Sequence, residues 1–163
     1  MLGRLFPKTV DNRFRGYRVA LWLYVLLVFS KIGTALLHIL SPDGGAQSIS
    51  TIPLNAYPAG AAQNIIALFA RMGMVQLLLG SVFVVVLLRY RALIPLMYGL
   101  MVLSYLGDRM AGYFKPLVLG GISGAAAPAM LFMAATVLGL VLSLTGRGYD
   151  FGQPSAAPPM PQK

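Results

Sequence analysis

Four charged residues lie well inside long apolar segments of the chain, and they are the side chains from which chemistry could start. They are Lys31, Arg71, Asp108 and Arg109. A charge at membrane depth is costly, and it normally faces a bundle interior or a wet cavity and marks a functional site. Because three cations accompany one carboxylate, we expect the group to bind an anionic or carbonyl-bearing ligand. The alternative is an ion pair that only holds the helices together.

A polar face runs along the first apolar segment. Lys31, Thr34 and His38 follow one another at spacings of three and four, so they share one side of a helix. Histidine titrates near neutral pH, which allows a proton relay between His38 and Asp108. The other interpretation is a hydrogen-bonded residue near the membrane interface. The candidate ligand-binding or charge-cluster residues are therefore Lys31, His38, Arg71, Asp108 and Arg109.

The third long apolar segment carries a stripe that leads to Asp108. Tyr98, Met101, Tyr105 and Asp108 are separated by three, four and three residues, which places them on one helical face. The first interpretation of Tyr98, Met101 and Tyr105 is that they belong to the core. The second is that they form the wall of an apolar pocket that ends at the charges.

The composition restricts the class of protein. Of the 163 residues, 58% are hydrophobic and 10% are charged, which predicts an integral membrane protein. The sequence has no cysteine and one histidine, so disulfides, thiolate nucleophiles and cysteine-ligated metals are excluded. We predict no catalytic residue, no metal site and no cofactor other than a quinone. The net charge of +9 is explained by membrane topology and does not require a nucleic-acid partner.

Four apolar segments are long enough to cross a bilayer, which takes about 20 helical residues each. The predicted spans are residues 18–40, 64–88, 92–114 and 125–145. Loops at 41–63 and 115–124 join them, and a basic leader, residues 1–17, precedes them. Residues 146–163 are polar and Pro-rich, which predicts a disordered tail. The predicted fold class is all-α, a four-transmembrane-helix bundle.

The distribution of basic residues predicts the orientation of this bundle. The turn between the second and third spans contains Arg89 and Arg91, and short basic loops stay in the cytoplasm. Nine of the thirteen Lys and Arg residues then fall on the cytoplasmic side, three lie at membrane depth, and Lys115 is exterior. We predict a multi-pass protein of the bacterial inner (plasma) membrane, in contact with its lipids and with both termini cytoplasmic.

Small and polar residues predict two helix-packing surfaces, because small side chains let membrane helices approach closely. One lies on the second span and the other, with a spacing of four, on the fourth. Their residues are Gly73, Gln76 and Gly80 on the second span and Ala135, Gly139 and Ser143 on the fourth.

The first span ends near the motif SKIG, an exterior loop follows, and the second span with its basic turn reads RMGMVQLLLGSVFVVVLLRYRALIPL. Over about residues 18–145, these features resemble the DoxX-like class of small four-helix bacterial inner-membrane proteins. Gln76 stands where that class often has an acidic residue. The resemblance implies the fold, and for some members a link to quinone-dependent redox complexes, but it implies no catalytic residue.

We expect a non-enzymatic protein with a positively charged pocket in the exterior half of the bundle. The pocket would bind a small amphipathic or anionic ligand, or a partner subunit. One alternative is a membrane subunit of a quinone-linked oxidoreductase, in which Lys31, His38 and Asp108 steer protons. The other is a small transporter that forms homo-oligomers through Ala135, Gly139 and Ser143.

Overall fold

The computed structural model of the protein describes residues 2–146, and this part of the chain is helical. Its four main helices are α2 (Arg18–Leu40), α3 (Ala59–Arg89), α4 (Ile94–Phe114) and α5 (Ala126–Thr145), and a one-turn helix, α1 (Leu2–Leu5), precedes them. The all-α prediction is confirmed. The predicted Pro-rich tail, apart from Gly146, lies outside the described residues.

Helix α3 is longer than the predicted second span. It begins at Ala59, directly after Pro58, whereas the sequence pattern predicts a loop over residues 59–63. The first residues of the helix are AGAAQ, and alanine is the strongest helix former, so the helix extends back to the proline. With 31 residues, α3 is about 46 Å long at a rise of 1.5 Å per residue.

Three of the helices within residues 2–146 are long and apolar enough to cross a membrane, namely α2, α3 and α5. Helix α4 has 21 residues and is not one of them. It carries Ser104, Asp108 and Arg109 among its apolar residues, and these lower its hydropathy. The described chain thus has the composition of a membrane protein, with three candidate spans.

The two ends of the bundle are built differently. At one end, here called the turn end, residues 90–93 join α3 to α4, and the leader is attached through two backbone hydrogen bonds. These run from Ala92 N to Asp11 O (3.2 Å) and from Tyr17 N to Leu142 O (3.2 Å). At the other end, here called the loop end, lie the connections 41–58 and 115–125.

The helices are neighbours in an order that differs from their order in the chain. Helix α2 packs against α3 and α5, and α4 packs against α5. Helices α3 and α4 are consecutive but make few contacts with each other. The bundle therefore has a weakly packed side, which we call the α3–α4 seam.

An aromatic cluster joins α2, α3 and α4 in the half of the bundle nearer the turn end. Tyr24, Phe83 and Tyr98 are fully buried. The Phe83 and Tyr98 rings meet Tyr24 edge to face, with centroid distances of 6.4 and 5.5 Å. The Tyr24 hydroxyl donates to the carbonyl oxygen of Phe83 (3.1 Å), and the Tyr98 hydroxyl donates to that of Ala20 (2.6 Å). Each ring pair is worth about 0.5–1.5 kcal/mol beyond its buried area.

Glycines bring α3 close to α2. A Cβ atom on Gly73 would lie 2.8 Å from the carbonyl oxygen of Ala35, and one on Gly80 would lie 3.0 Å from Ile32 Cγ1. Gln76, between the two glycines, is half-buried. Larger side chains at either glycine would push the helices apart, because buried contacts leave no room for added atoms.

The small residues of α5 face the interior of the bundle. Gly139 and Ser143 are buried, and Ala135 is packed against the core. A Cβ on Gly139 would clash with the Tyr98 ring, and Ser143 Cα lies 2.8 Å from the Cβ position of Gly16. These residues therefore pack within the chain, and an oligomer contact through them stays a prediction.

Candidate ligand site at the loop end

The stripe of residues on α4 leaves the core as the helix approaches the loop end. Tyr98 and Met101 are fully buried, Tyr105 is half-buried, and Asp108 is exposed. No residue of α4 after Met101 is buried. Tyr98 and Met101 thus belong to the core and not to a pocket wall, and Tyr105 alone of the three predicted wall residues borders the charges.

Lys31 reaches from α2 to α4. Its Nζ atom lies 4.8 Å from the centroid of the Tyr105 ring, within the roughly 6 Å at which a cation is attracted to an aromatic face. Asp108 acts electrostatically on Lys31 and on Tyr105, and the Tyr105 hydroxyl interacts with the side chain of Thr136 on α5. We call Lys31, Tyr105, Asp108 and Thr136 together the Lys31 site.

The charge of Lys31 is not neutralised by a direct ion pair. Within residues 2–146, no salt bridge of 4.0 Å or less joins Lys31, Arg71 or Arg109 to Asp108. A cation over an aromatic ring gains about 0.5–2 kcal/mol, depending on how far the pair is removed from water. That interaction orients the ammonium group but leaves its positive charge available to an anionic or carbonyl oxygen.

The predicted cluster of five ionisable residues is not assembled as a whole. Arg71 and Arg109 are exposed, and within the described residues no contact joins Arg71 to the Lys31 site. Gly73 faces α2, and a residue two positions away on a helix is rotated by about 200°, so Arg71 points away from α2. Equal depth in the bundle therefore did not make Arg71 and Lys31 neighbours.

His38 is part of the loop-end packing and not of a proton relay. It is buried, its Nδ1 atom lies 2.7 Å from the carbonyl oxygen of Gly44, and its ring meets Phe69 edge to face at 5.6 Å. Because a carbonyl oxygen can only accept, Nδ1 is the donor in this bond. No described hydrogen bond joins His38 to Asp108, so the structure does not support the relay interpretation.

A residue that the sequence analysis did not select, Asp43, organises the loop that follows α2. Its carboxylate accepts hydrogen bonds from the backbone amides of Ser48 (2.7 Å), Gly45 (2.9 Å) and Gln47 (3.1 Å). These bonds, that of Ser48 above all, lower the pKa of the Asp43 carboxyl to about 2. The signal in the sequence was Asp followed by two glycines, since aspartate bonds nearby backbone amides and glycine adopts positive φ in turns.

The two loop-end connections are fastened to each other. The amides of Gly120 and Gly124 donate to the carbonyl oxygens of Thr51 (2.8 Å) and Ile49 (3.0 Å). The Thr51 hydroxyl donates to the carbonyl oxygen of Gly121 (3.0 Å). Beneath them, a small apolar cluster of the first connection packs on α3; its buried members are Ala46, Ile52 and Leu54. These contacts give the loop end an ordered cover.

The side chains of the Lys31 site can bind a ligand. Within residues 2–146, no three His, Asp or Glu side chains are grouped as metal ligands would be. Lys31 offers an ammonium group, and Tyr105 offers a hydroxyl and an aromatic face. These groups suit a ligand oxygen that carries full or partial negative charge.

Comparison of the chain with protein-family models, with curated proteins and with solved structures gave no match. The resemblance to the DoxX-like class stays a prediction from the sequence pattern.

Proposed function

We propose that the chain is a four-span protein of the bacterial inner membrane, with both termini cytoplasmic, that binds an amphipathic ligand at the Lys31 site. The observation that carries this proposal is the position of Lys31. Its ammonium group is held against Tyr105 and near Asp108, at the place where α4 leaves the packed core.

Helix α4 has the dimensions of a fourth span. Its 21 residues measure about 32 Å at 1.5 Å per residue, compared with about 30 Å for the hydrocarbon core of a bilayer. It packs against α5, whose sequence is apolar enough to cross a membrane. A charged α4 would be tolerated at that depth if its polar residues meet a ligand instead of acyl chains.

The orientation follows from the same charge asymmetry that the sequence shows. Arg89 and Arg91 stand at the turn end with the basic leader, whereas the loop end carries Lys115. The positive-inside rule then places the turn end in the cytoplasm. Along the helix axis, Lys31 lies roughly 13 Å from the loop end of α2, and Asp108 lies roughly 9 Å from the loop end of α4. Because the loop end would be exterior, the Lys31 site would lie in the exterior leaflet.

The ligand would have a polar head with a negative or carbonyl oxygen and an apolar tail. Within residues 2–146 the Lys31 ammonium group has no ion pair, which favours an oxygen-rich head group such as a carboxylate, a phosphate or a quinone carbonyl. A cation that is desolvated without such a partner would be costly.

A binding role agrees with the lack of cysteine and with the hydrogen bond that already engages the histidine. The chain has no cysteine, and its single histidine is bonded to the loop-end backbone. If the ligand is a quinone, the protein would serve as a membrane subunit of a quinone-linked oxidoreductase, with the redox centre on another chain. The transporter alternative would need another oligomer contact, because Gly139 and Ser143 are buried within the chain.

The test is native mass spectrometry of the protein released from membranes, with Lys31→Gln as the variant. We expect the wild type to retain a molecule of defined mass. The affinity of Lys31→Gln for this molecule should fall by about tenfold or more, and its occupancy with it, because a hydrogen bond to a charged group is worth about 1.5–3 kcal/mol. The matched control is Lys115→Gln, which removes the same charge from an exposed position in the loop-end connection and should retain the ligand. Equal occupancy in both variants, or a wild type without any bound molecule, would contradict the proposal.

A further inference from the structure

A cavity of about 340 Å³ lies at the turn end, remote from the Lys31 site. The leader supplies one wall, and residues from the start of α4 and the end of α5 supply the other. Three of the lining side chains are basic, Arg4, Lys8 and Arg15, and Phe14 and Pro95 add apolar surface. Small-molecule pockets begin at about 300 Å³, so this cavity has room for a head group.

Two of the basic side chains are held in place by the fold. The Arg4 guanidinium donates to the carbonyl oxygens of Leu144 (2.9 Å) and Gly146, at the C-terminal end of α5, where a cation is favoured by the helix dipole. The Arg15 guanidinium donates to both carboxylate oxygens of Asp11 (2.6 and 3.2 Å). This pair lowers the pKa of the Asp11 carboxyl. Both carboxylate oxygens of Asp11 are thus engaged with Arg15.

The third basic side chain, Lys8, is exposed at the edge of the cavity. Among residues 2–146, three cations and one paired carboxylate surround the cavity, so this part of the chain gives it net positive charge. The leader is fixed to the helices by the backbone bonds of Asp11 and Tyr17 described above, so the basic residues do not have to be gathered when a ligand arrives. Such preorganisation reduces the entropy that binding costs.

We propose that the turn-end cavity binds the phosphate head group of an anionic phospholipid. The assignment of the cytoplasmic leaflet as its source rests on the orientation given under Proposed function, but the site itself does not depend on Lys31. Basic pockets at the ends of membrane helices suit phosphate head groups, and Arg and Lys donors make charge-assisted hydrogen bonds to phosphate oxygens. Phe14 and Pro95 would contact the apolar part of the lipid next to its head group.

The test is a lipid titration of the purified full-length protein in neutral detergent, followed by native mass spectrometry. The probes are phosphatidylglycerol, which is anionic, and phosphatidylcholine, which is zwitterionic. We expect phosphatidylglycerol to bind more tightly. Its affinity should fall about fivefold in Lys8→Gln and about 25-fold in Lys8→Glu, since each unit of charge near a lipid head group contributes about 1 kcal/mol.

The matched control is Arg89→Gln, which removes one exposed cation from the same end of the bundle but outside the cavity. It should bind phosphatidylglycerol like the wild type. An equal loss of affinity in Arg89→Gln and Lys8→Gln would show diffuse attraction to a basic surface and overturn the proposal. Inorganic phosphate at about 10 mM carries the same kind of charge as the lipid head group. If it displaces phosphatidylglycerol completely, free phosphate is the ligand and the proposal is overturned. Lys31→Gln should retain phosphatidylglycerol, which separates failure at this cavity from failure at the Lys31 site.

Discussion

Gly139 shows how a single residue positions two helices at once. Its lack of a side chain lets the Tyr98 ring of α4 lie against α5, and the Tyr98 hydroxyl then reaches the backbone of α2 at Ala20. The sequence spacing predicted that Gly139 lies on a packing face, but spacing alone does not identify the partner. Arg71 is a second example. The sequence predicted its depth in the membrane, but its neighbours depend on which face of α3 packs against α2.

Replacing Gly139 by alanine should destabilise the bundle. The added methyl group would enter the space of the Tyr98 ring, and overpacking of a buried contact costs about 1–3 kcal/mol. The measurement is the free energy of unfolding in mixed micelles, followed by circular dichroism as the denaturing detergent is increased. Gly107→Ala is the control, because no neighbouring atom lies within 4 Å of its Cβ position and alanine favours a helix by about 1 kcal/mol over glycine. Equal stability of the two variants would show that Gly139 and Tyr98 are not in contact.

At the scale of elements, the connection between α2 and α3 departs most from what the sequence pattern suggested. The sequence pattern predicts an exterior loop over residues 41–63. The structure orders it through the Asp43 carboxylate and the buried side chains of Ile52 and Leu54. Polar composition predicted a loop, but burial of these few apolar residues depends on α3 extending back to Ala59, which the loop boundaries had excluded.

The protonation state of the Asp43 carboxyl group should control the order of this loop as the pH changes. Backbone hydrogen bonds lower its folded pKa to about 2 from the ordinary 3.8. The ionised carboxyl group therefore stabilises the loop fully at pH values above its unfolded pKa. This stabilisation is lost as the pH falls through the folded pKa. In NMR spectra, the amide protons of Gly45 and Ser48 should titrate together with a midpoint of about 2.

Asp43→Ala removes these bonds and should shift both amide signals at neutral pH, whereas Gln47→Ala, at an exposed position that keeps its amide, should leave them in place. A midpoint near 3.8 for the Ser48 amide would mean that the carboxylate does not bind it.

At the scale of the whole molecule, the sequence predicted an all-α chain with four main helices but not their arrangement around the bundle. Any order of helices satisfies the same depths and loop charges. The observed order places α2 beside α3 and α5, leaves the α3–α4 seam weakly packed, and brings Lys31 to Tyr105. The candidate site could therefore be predicted in part. The charges of Lys31 and Asp108 at membrane depth identified these two residues, but the sequence did not show that Arg71 lies apart from them.

The central claim is that α4 crosses the membrane, so that the turn end is cytoplasmic and the loop end is exterior. Both proposed sites take their leaflet from it. The most direct measurement is cysteine accessibility, which has no background here because the chain contains no cysteine. Single cysteines would replace Asn12, Gln47, Tyr90 and Lys115, all exposed in the structure. A membrane-impermeant maleimide would then be added to intact spheroplasts and to lysed membranes.

We predict that Gln47→Cys and Lys115→Cys are labelled in intact spheroplasts, and that Asn12→Cys and Tyr90→Cys are labelled only after lysis. Labelling of Tyr90→Cys and Lys115→Cys from the same side would show that α4 does not span the membrane and would contradict the account.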